Sequence, residues 1–216
     1  KVSVVGIDPT NPATYLNNLA KSGTYVPGGS NSSSNNGSSS TNSKVNTWLS
    51  QHGIEVSTLA PKQVSLMEGI YGRLGTPYKA CRHSKGCDGY CYDSNNPSHL
   101  DAATFIWRSF YDADMKINAL SCRDLVKDGH FSRVAWKNRK PGDVLVTFGE
   151  KKAHAMFYLK DKGNTLTVAE ATAGKESKVT DLARGTTIYA NKSGSKNTVH
   201  YGKKGGKKYV LLRYNG

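Results

Sequence analysis

Asp101-Ala102-Ala103-Thr104-Phe105-Ile106-Trp107 is the stretch on which the reading of this chain turns. Its spacing predicts a helix over about residues 102–111, with Phe105, Ile106 and Phe110 on one face. Asp101 stands where it can cap that helix through the exposed N–H groups of the first turn. A side chain at the first turn sits in the positive end of the helix macrodipole, where a cysteine thiolate is stabilised and its pKa lowered. Position 102 is thus one that activates sulfur, and it holds alanine.

Outward from this helix the pattern is that of an α+β domain. Upstream, Val64, Met67, Ile70 and Tyr71 recur at helical spacing after Ala60-Pro61, which predicts a helix from about Lys62 to the glycine breaks at Gly72 and Gly75. Beyond Pro141-Gly142-Asp143 the signal changes to strands over residues 144–148, 155–159, 165–169 and 209–214, punctuated by Lys-Gly, Asp-Lys-Gly-Asn and Gly-Gly turns. Helices first and a mostly antiparallel sheet after them define an α+β fold over residues 44–216. Residues 28–43 are almost purely Ser, Asn and Gly, with little apolar surface to offset the entropy of ordering, and read as a flexible linker. Residues 1–27 are too sparse in apolar side chains to fold alone and read as the end of a preceding module or a pro-segment. The chain opens at Lys1 without Met or a signal-like apolar block, as a processed product or an excised piece would. No internal repeat is visible at any period.

Composition narrows the function classes. The chain has 216 residues, 37% of them apolar, enough for one domain-sized core, and no apolar run long enough to span a bilayer. A formal charge of +14, from 30 Lys+Arg against 16 Asp+Glu, predicts attraction to polyanions. The lysine-rich run Lys203-Lys204-Gly205-Gly206-Lys207-Lys208 has glycines between its charges and no aromatic stacking ladder, so it reads as a solvated basic hairpin more readily than a dedicated anion site. Charge is the one feature that would favour a nucleic-acid partner, and none is expected.

Two further residues complete a chemical argument around position 102. A histidine opening a neighbouring strand can face the helix end, take a thiol proton and later pass it to a leaving amine. His154 follows the Pro-Gly-Asp strand and begins an apolar one, and is that histidine. A third polar group must orient the imidazole and fix its tautomer, and Glu170 comes from the following strand. His52, His83, His99, His130 and His200 lack such a setting and read as structural or solvent-facing.

Taken in order, Leu74-Gly75-Thr76-Pro77-Tyr78, Asp101-Ala102-Ala103-Thr104-Phe105, Lys140-Pro141-Gly142-Asp143-Val144-Leu145 and His154-Ala155-Met156-Phe157-Tyr158 resemble the NlpC/P60 family of cell-wall cysteine peptidases. That family's usual pattern runs Gly-Thr-Pro-Tyr, Asp-Cys-Ser/Ala-Gly-Phe, Pro-Gly-Asp-Leu and His-Val-Gly-Ile-Tyr, and the resemblance covers residues 62–172. It implies a papain-like fold and hydrolysis of peptidoglycan stem peptides, at the bond between D-γ-glutamate and the diamino acid. Ala102 stands at the nucleophile position, His154 at the base and Glu170 at the orienting position. The resemblance further implies that Tyr78 lines the cleft and that Asp101 helps recognise the free amine of a stem peptide. Glu170 departs from the commonest pattern, which has a second histidine there. In this it is similar to the related CHAP amidases and endopeptidases, which would cut a cross-bridge or the amide joining sugar to peptide. With Ala102 the chain as written is expected to be inactive, either through an engineered Cys-to-Ala change or as a natural pseudoenzyme that keeps its groove for wall binding. The implied partners are bacterial peptidoglycan and anionic wall polymers, with an upstream module attached. The implied location is secreted, at the cell wall, or on a virion if the chain is a phage-tail endolysin, and no cofactor is implied.

The cysteines pose a separate question. Cys81, Cys87 and Cys91 crowd into an insertion ahead of the helix, and Cys122 stands alone beyond it. Four cysteines in an exported protein allow two disulfides in three pairings. The same cluster could instead hold a structural zinc through three thiolates plus Cys122, His83 or His99, or remain as free thiols. Cys122, lying after the helix, is not expected to replace the missing nucleophile.

Overall fold

The structure, a computed structural model, describes residues 43–80, 97–119, 121–147, 153–163, 165–172, 177–183, 198–200 and 208–216. Helices α1 (Ser43–Gln51), α2 (Pro61–Tyr71) and α3 (Ala102–Asp112) come first. The strands follow: β1 (Phe131–Arg133), β2 (Val144–Thr147), β3 (Ala155–Lys162), β4 (Thr165–Glu170), β5 (Lys178–Ala183), β6 (Thr198–His200) and β7 (Lys208–Tyr214). All pair antiparallel in one sheet of order β1-β7-β2-β3-β4-β5, with β6 also on β7. The molecule is therefore an α+β fold with its helices ahead of an antiparallel sheet, as expected. Among the described residues no helix is long and apolar enough to cross a membrane.

Local sequence explains the helix bounds. Pro61 starts α2, where its missing N–H costs nothing, and the Gln63 side chain turns back to accept from the Ala60 N–H at 2.9 Å. The same side chain donates to the Pro141 carbonyl at 3.0 Å, tying α2 to the turn before β2. Gly69 lets α2 and α3 touch backbone to backbone: a Cβ there would lie 2.2 Å from the Ser109 carbonyl oxygen. Arg108 of α3 is fully buried, yet it meets Asp112 at 3.1 Å and lies over the Tyr111 ring at 5.0 Å. Arg73, just after α2, binds the same carboxylate, so the charge inside the helix layer is shared and paired.

The sheet buries both of its faces. Ala155, Phe157 and Leu159 of β3 alternate with Met156 and Tyr158, the first set joining the helices' core and the second a smaller cluster with Leu145, Leu166, Val168 and Leu211. Phe105 and Phe110 of α3 pack on Phe157 at ring separations of 5.8 and 5.7 Å. The Pro141-Gly142-Asp143 turn depends on Gly142 at φ +91°. Asp143 accepts two hydrogen bonds from Arg213 of β7, both at 2.8 Å, and one from the Lys140 N–H at 2.7 Å. Burial nonetheless outweighs these donors and leaves its carboxyl above the ordinary aspartate value.

Several elements differ from expectation. β3 runs on past residue 159 to Lys162, because its exposed end still pairs with β4 through a register shift between Tyr158 and Lys160. β4 reaches Glu170 and β7 begins at Lys208. β1, β5 and β6 carry too few strong strand formers to signal themselves; each is strand because a neighbour supplies its hydrogen-bond partners. The expected module at 1–27, most of the linker at 28–43, the basic run at 203–207, and Cys81, His83, Cys87 and Cys91 lie outside the described residues.

Candidate active site

The start of α3 is held from both directions. The Thr104 N–H donates to Asp101 Oδ1 at 2.9 Å, and the Asp101 N–H donates to Thr104 Oγ1 at 2.8 Å, a reciprocal capping box. Just before it, Leu100 pairs in parallel with Tyr78, the Leu100 N–H donating to the Pro77 carbonyl at 2.9 Å and the Lys79 N–H to the Leu100 carbonyl at 3.2 Å. These bonds bring Tyr78 beside Asp101 and set Ala102, 8% exposed, at the first turn of α3. The capping reading of Asp101 is thus realised in the geometry.

Cys122 belongs to this neighbourhood although 20 residues of sequence separate it from Ala102. Burial first, then the charge of Asp101, pushes its thiol up to about 12. Tyr78 is likewise raised by burial, by Asp101 and by Cys122, so the three acidic groups feel one another electrostatically. Cys122 is a buried free cysteine. Its thiol stays protonated near neutrality, which is a firmer reason than chain position for its failing to act as a nucleophile. Among the described residues no cluster of His, Cys, Asp or Glu could hold a metal ion.

His154 and Glu170 meet where β3 begins and β4 ends. The His154 N–H donates to Thr147 Oγ1 at 2.6 Å and its carbonyl accepts from the Thr147 N–H at 2.9 Å, which fixes the residue at the end of β2. Its Nε2 lies 2.7 Å from Glu170 Oε2. Burial pushes the Glu170 carboxyl up, but the bond from His154 and the proximity of its ring outweigh that and hold it below the ordinary glutamate range. An ionised carboxylate is acceptor only, so Nε2 carries the proton and Nδ1 of the neutral ring is the acceptor. Nδ1 has no hydrogen-bond partner among the described residues.

The two groups are joined through the framework. The Gly75 N–H donates to the Ser177 carbonyl at 2.7 Å and the Ser177 N–H returns to the Thr76 carbonyl at 2.8 Å. Ser177 immediately precedes Lys178, the cross-strand partner of Glu170. Ala102, Ala155 and Ala171 share one core cluster, with Ala153 packed against it. Of the residues singled out in the sequence, Tyr78, Asp101 and Cys122 influence one another at the start of α3, and His154 pairs with Glu170 on the sheet. Ser177, Thr172 and Thr180 also belong here and had no signal in the sequence, where they read as ordinary strand and loop hydroxyls.

The remaining described histidines have other roles. His130 Nδ1 lies 2.7 Å from Asp128 Oδ1, and its ring stacks on Tyr214. Asp128 also accepts from the N–H groups of Asn118, Ala119 and His130 at 2.6, 2.8 and 3.0 Å. Burial raises this carboxyl, and these donors overcome it. His52 packs edge-on against Trp48, and His99 Nδ1 lies 3.0 Å from Ser98 Oγ.

No family model matches the chain, and neither does any curated protein. Solved structures similar to it at low identity include three NlpC/P60-type proteins. An NLP/P60-family, lipoprotein-like protein of Staphylococcus aureus is 18% identical over 61% of this chain and 41% of its own, with a TM-score of 0.40. RipD of Mycobacterium tuberculosis, described as a non-catalytic NlpC/p60 domain protein adapted to peptidoglycan binding, is 14% identical over 72% of this chain and 98% of its own, with a TM-score of 0.44. RipB of the same organism, a peptidoglycan hydrolase, is 17% identical over 80% of each chain, with a TM-score of 0.43.

Proposed function

We propose that this domain is a cysteine-peptidase scaffold directed at peptidoglycan stem peptides, and that Ala102 leaves the chain as written with the site but without its nucleophile. The observation that carries the reading is the His154–Glu170 pair, 2.7 Å apart, with no partner on the imidazole's second nitrogen among the described residues, beside a capped helix start elsewhere in the same domain. A thiolate at position 102 would attack a peptide carbonyl, with its proton taken by Nδ1 of His154 and later given to the leaving amine. Glu170 would stabilise the imidazolium, and N–H groups at the start of α3 would receive the oxyanion. Water would then release the acyl group and restore the thiol.

The sequence motifs favour the bond between D-γ-glutamate and the diamino acid, with Tyr78 and Asp101 near the peptide's free amine. A net charge of +14 suits a domain working on an anionic cell wall outside the cytoplasm. Ala102 itself favours a second reading, a wall-binding domain that uses the groove without chemistry. The test restores sulfur: Ala102→Cys is incubated with purified peptidoglycan beside the unmodified chain and Ala102→Cys/His154→Ala, and products are read by mass spectrometry. Stem-peptide fragments from Ala102→Cys alone are the expected result. Binding without fragments in all three proteins would replace the peptidase by the wall-binding reading.

A further inference from the structure

We propose that Thr172 and Thr180 are positioning residues of this site, their hydroxyls donating to the Glu170 carboxylate and holding it in place as the acceptor for His154. The inference rests on the peptidase reading for its catalytic consequence and on the sheet for its geometry. Glu170 pairs with Lys178 and Val168 with Thr180, so Thr180 is the diagonal neighbour of Glu170 on the same side of the sheet. Thr172 lies two residues beyond Glu170 on the other flank. Both hydroxyl oxygens are buried, and neither completes a hydrogen bond, with Glu170 or any other group, in the conformation the structure shows. A hydroxyl left so is disfavoured, whereas an ionised carboxylate with one oxygen already on His154 has further acceptor sites.

The two threonines stand behind His154 among the groups that draw the Glu170 carboxyl down. A small side-chain shift, followed by rotation of the O–H, would bring either hydroxyl into donating geometry toward the carboxylate. With donors on both flanks the carboxylate remains an acceptor when the imidazole gains its proton, and the ring keeps the orientation that leaves Nδ1 free. Thr172 and Thr180 would act through Glu170 and touch no substrate.

The test uses isosteric Thr172→Val and Thr180→Val, with Thr180→Ser as the conservative control. In the chain as written, carbon-13 NMR follows the Glu170 side-chain carboxyl through acid titration. Each valine variant is expected to raise the midpoint by about half a pH unit to one unit, with serine returning it. In the Ala102→Cys background kcat is expected to fall about tenfold with KM unchanged. A midpoint unmoved in both valine variants, with circular dichroism intact, overturns the inference. Absence of turnover in Ala102→Cys would overturn the peptidase reading instead, and the carboxyl titration would still decide the hydroxyl bonds.

Discussion

Two histidine–carboxylate pairs in this molecule have the same separation, 2.7 Å, and opposite surroundings. Asp128 is saturated by three backbone N–H groups of its own loop, and His130 lies flat against Tyr214. That carboxylate holds the segment from Asn118 to His130 together, and the ring finishes its shell. Among the described residues, Glu170 accepts no backbone donor that would lock it to one loop. It meets His154 across two strands, and two buried threonine hydroxyls that complete no hydrogen bond flank it in the pairing register. A short bond does not by itself assign a role to a pair; the other partners of the carboxylate are what differ between these two.

The largest expected effect breaks the symmetry directly. In the Ala102→Cys background, His154→Ala should lower kcat/KM for peptidoglycan by about 10²- to 10⁴-fold, while its thermal midpoint stays within a few degrees. Asp128→Ala should do the reverse. It strands three backbone donors, one of them at buried Ala119, and should cost about 2–4 kcal/mol in urea unfolding, with activity per folded molecule retained. If Asp128→Ala leaves stability unchanged, the division between the pairs fails.

A smaller effect separates the capping by Asp101 from its proposed part in recognition. Asp101→Ala removes the capping box of α3 and should cost about 1 kcal/mol, read by the same unfolding assay. Asp101→Asn keeps an acceptor for the Thr104 N–H and should restore most of that stability. It removes the negative charge that raises Tyr78 and Cys122, so any loss of stem-peptide affinity that survives in Asp101→Asn measures recognition alone.

Acid should act on both pairs in the same direction. Glu170 and Asp128 are each held below their ordinary values in the folded state. Their stabilisation is complete above those ordinary values, about 4.3 and 3.9, and is lost as pH falls through the lower folded ones. Unfolding curves taken from pH 5 downward should show stability falling in that window, and Asp128→Ala should flatten the fall more than Glu170→Gln. The smallest signal is chemical. With its thiol pushed up to about 12, Cys122 is thiolate in only about one molecule in 10⁵ at pH 7. Iodoacetamide followed by peptide mapping of the Ala102→Cys variant should label the thiol restored at position 102 far ahead of Cys122.

Much of the fold was legible because its signals are local. Pro61, the 3.6-residue spacing through Ile70 and the Asp101–Thr104 cap lie within a few residues of the backbone they shape, so α2 and α3 can be read in one dimension. The same holds for β2, β3, β4 and β7, whose apolar runs are strong enough to speak without their partners. The His154–Glu170 contact could be anticipated for a different reason: one residue opens a strand and the other closes the next, so antiparallel pairing brings them together.

Tertiary structure alone decided the rest. Only register makes a strand of Lys178–Ala183 and brings Thr180 diagonally onto Glu170, because cross-strand neighbours are set by pairing and not by spacing. Only the packing of the loop after α3 brings Cys122 under the influence of Asp101, where burial silences a thiol that the sequence could rank only by its distance along the chain. Two histidines beside acidic residues look alike in one dimension. Which other groups share each carboxylate is settled only when separate parts of the chain are folded against each other.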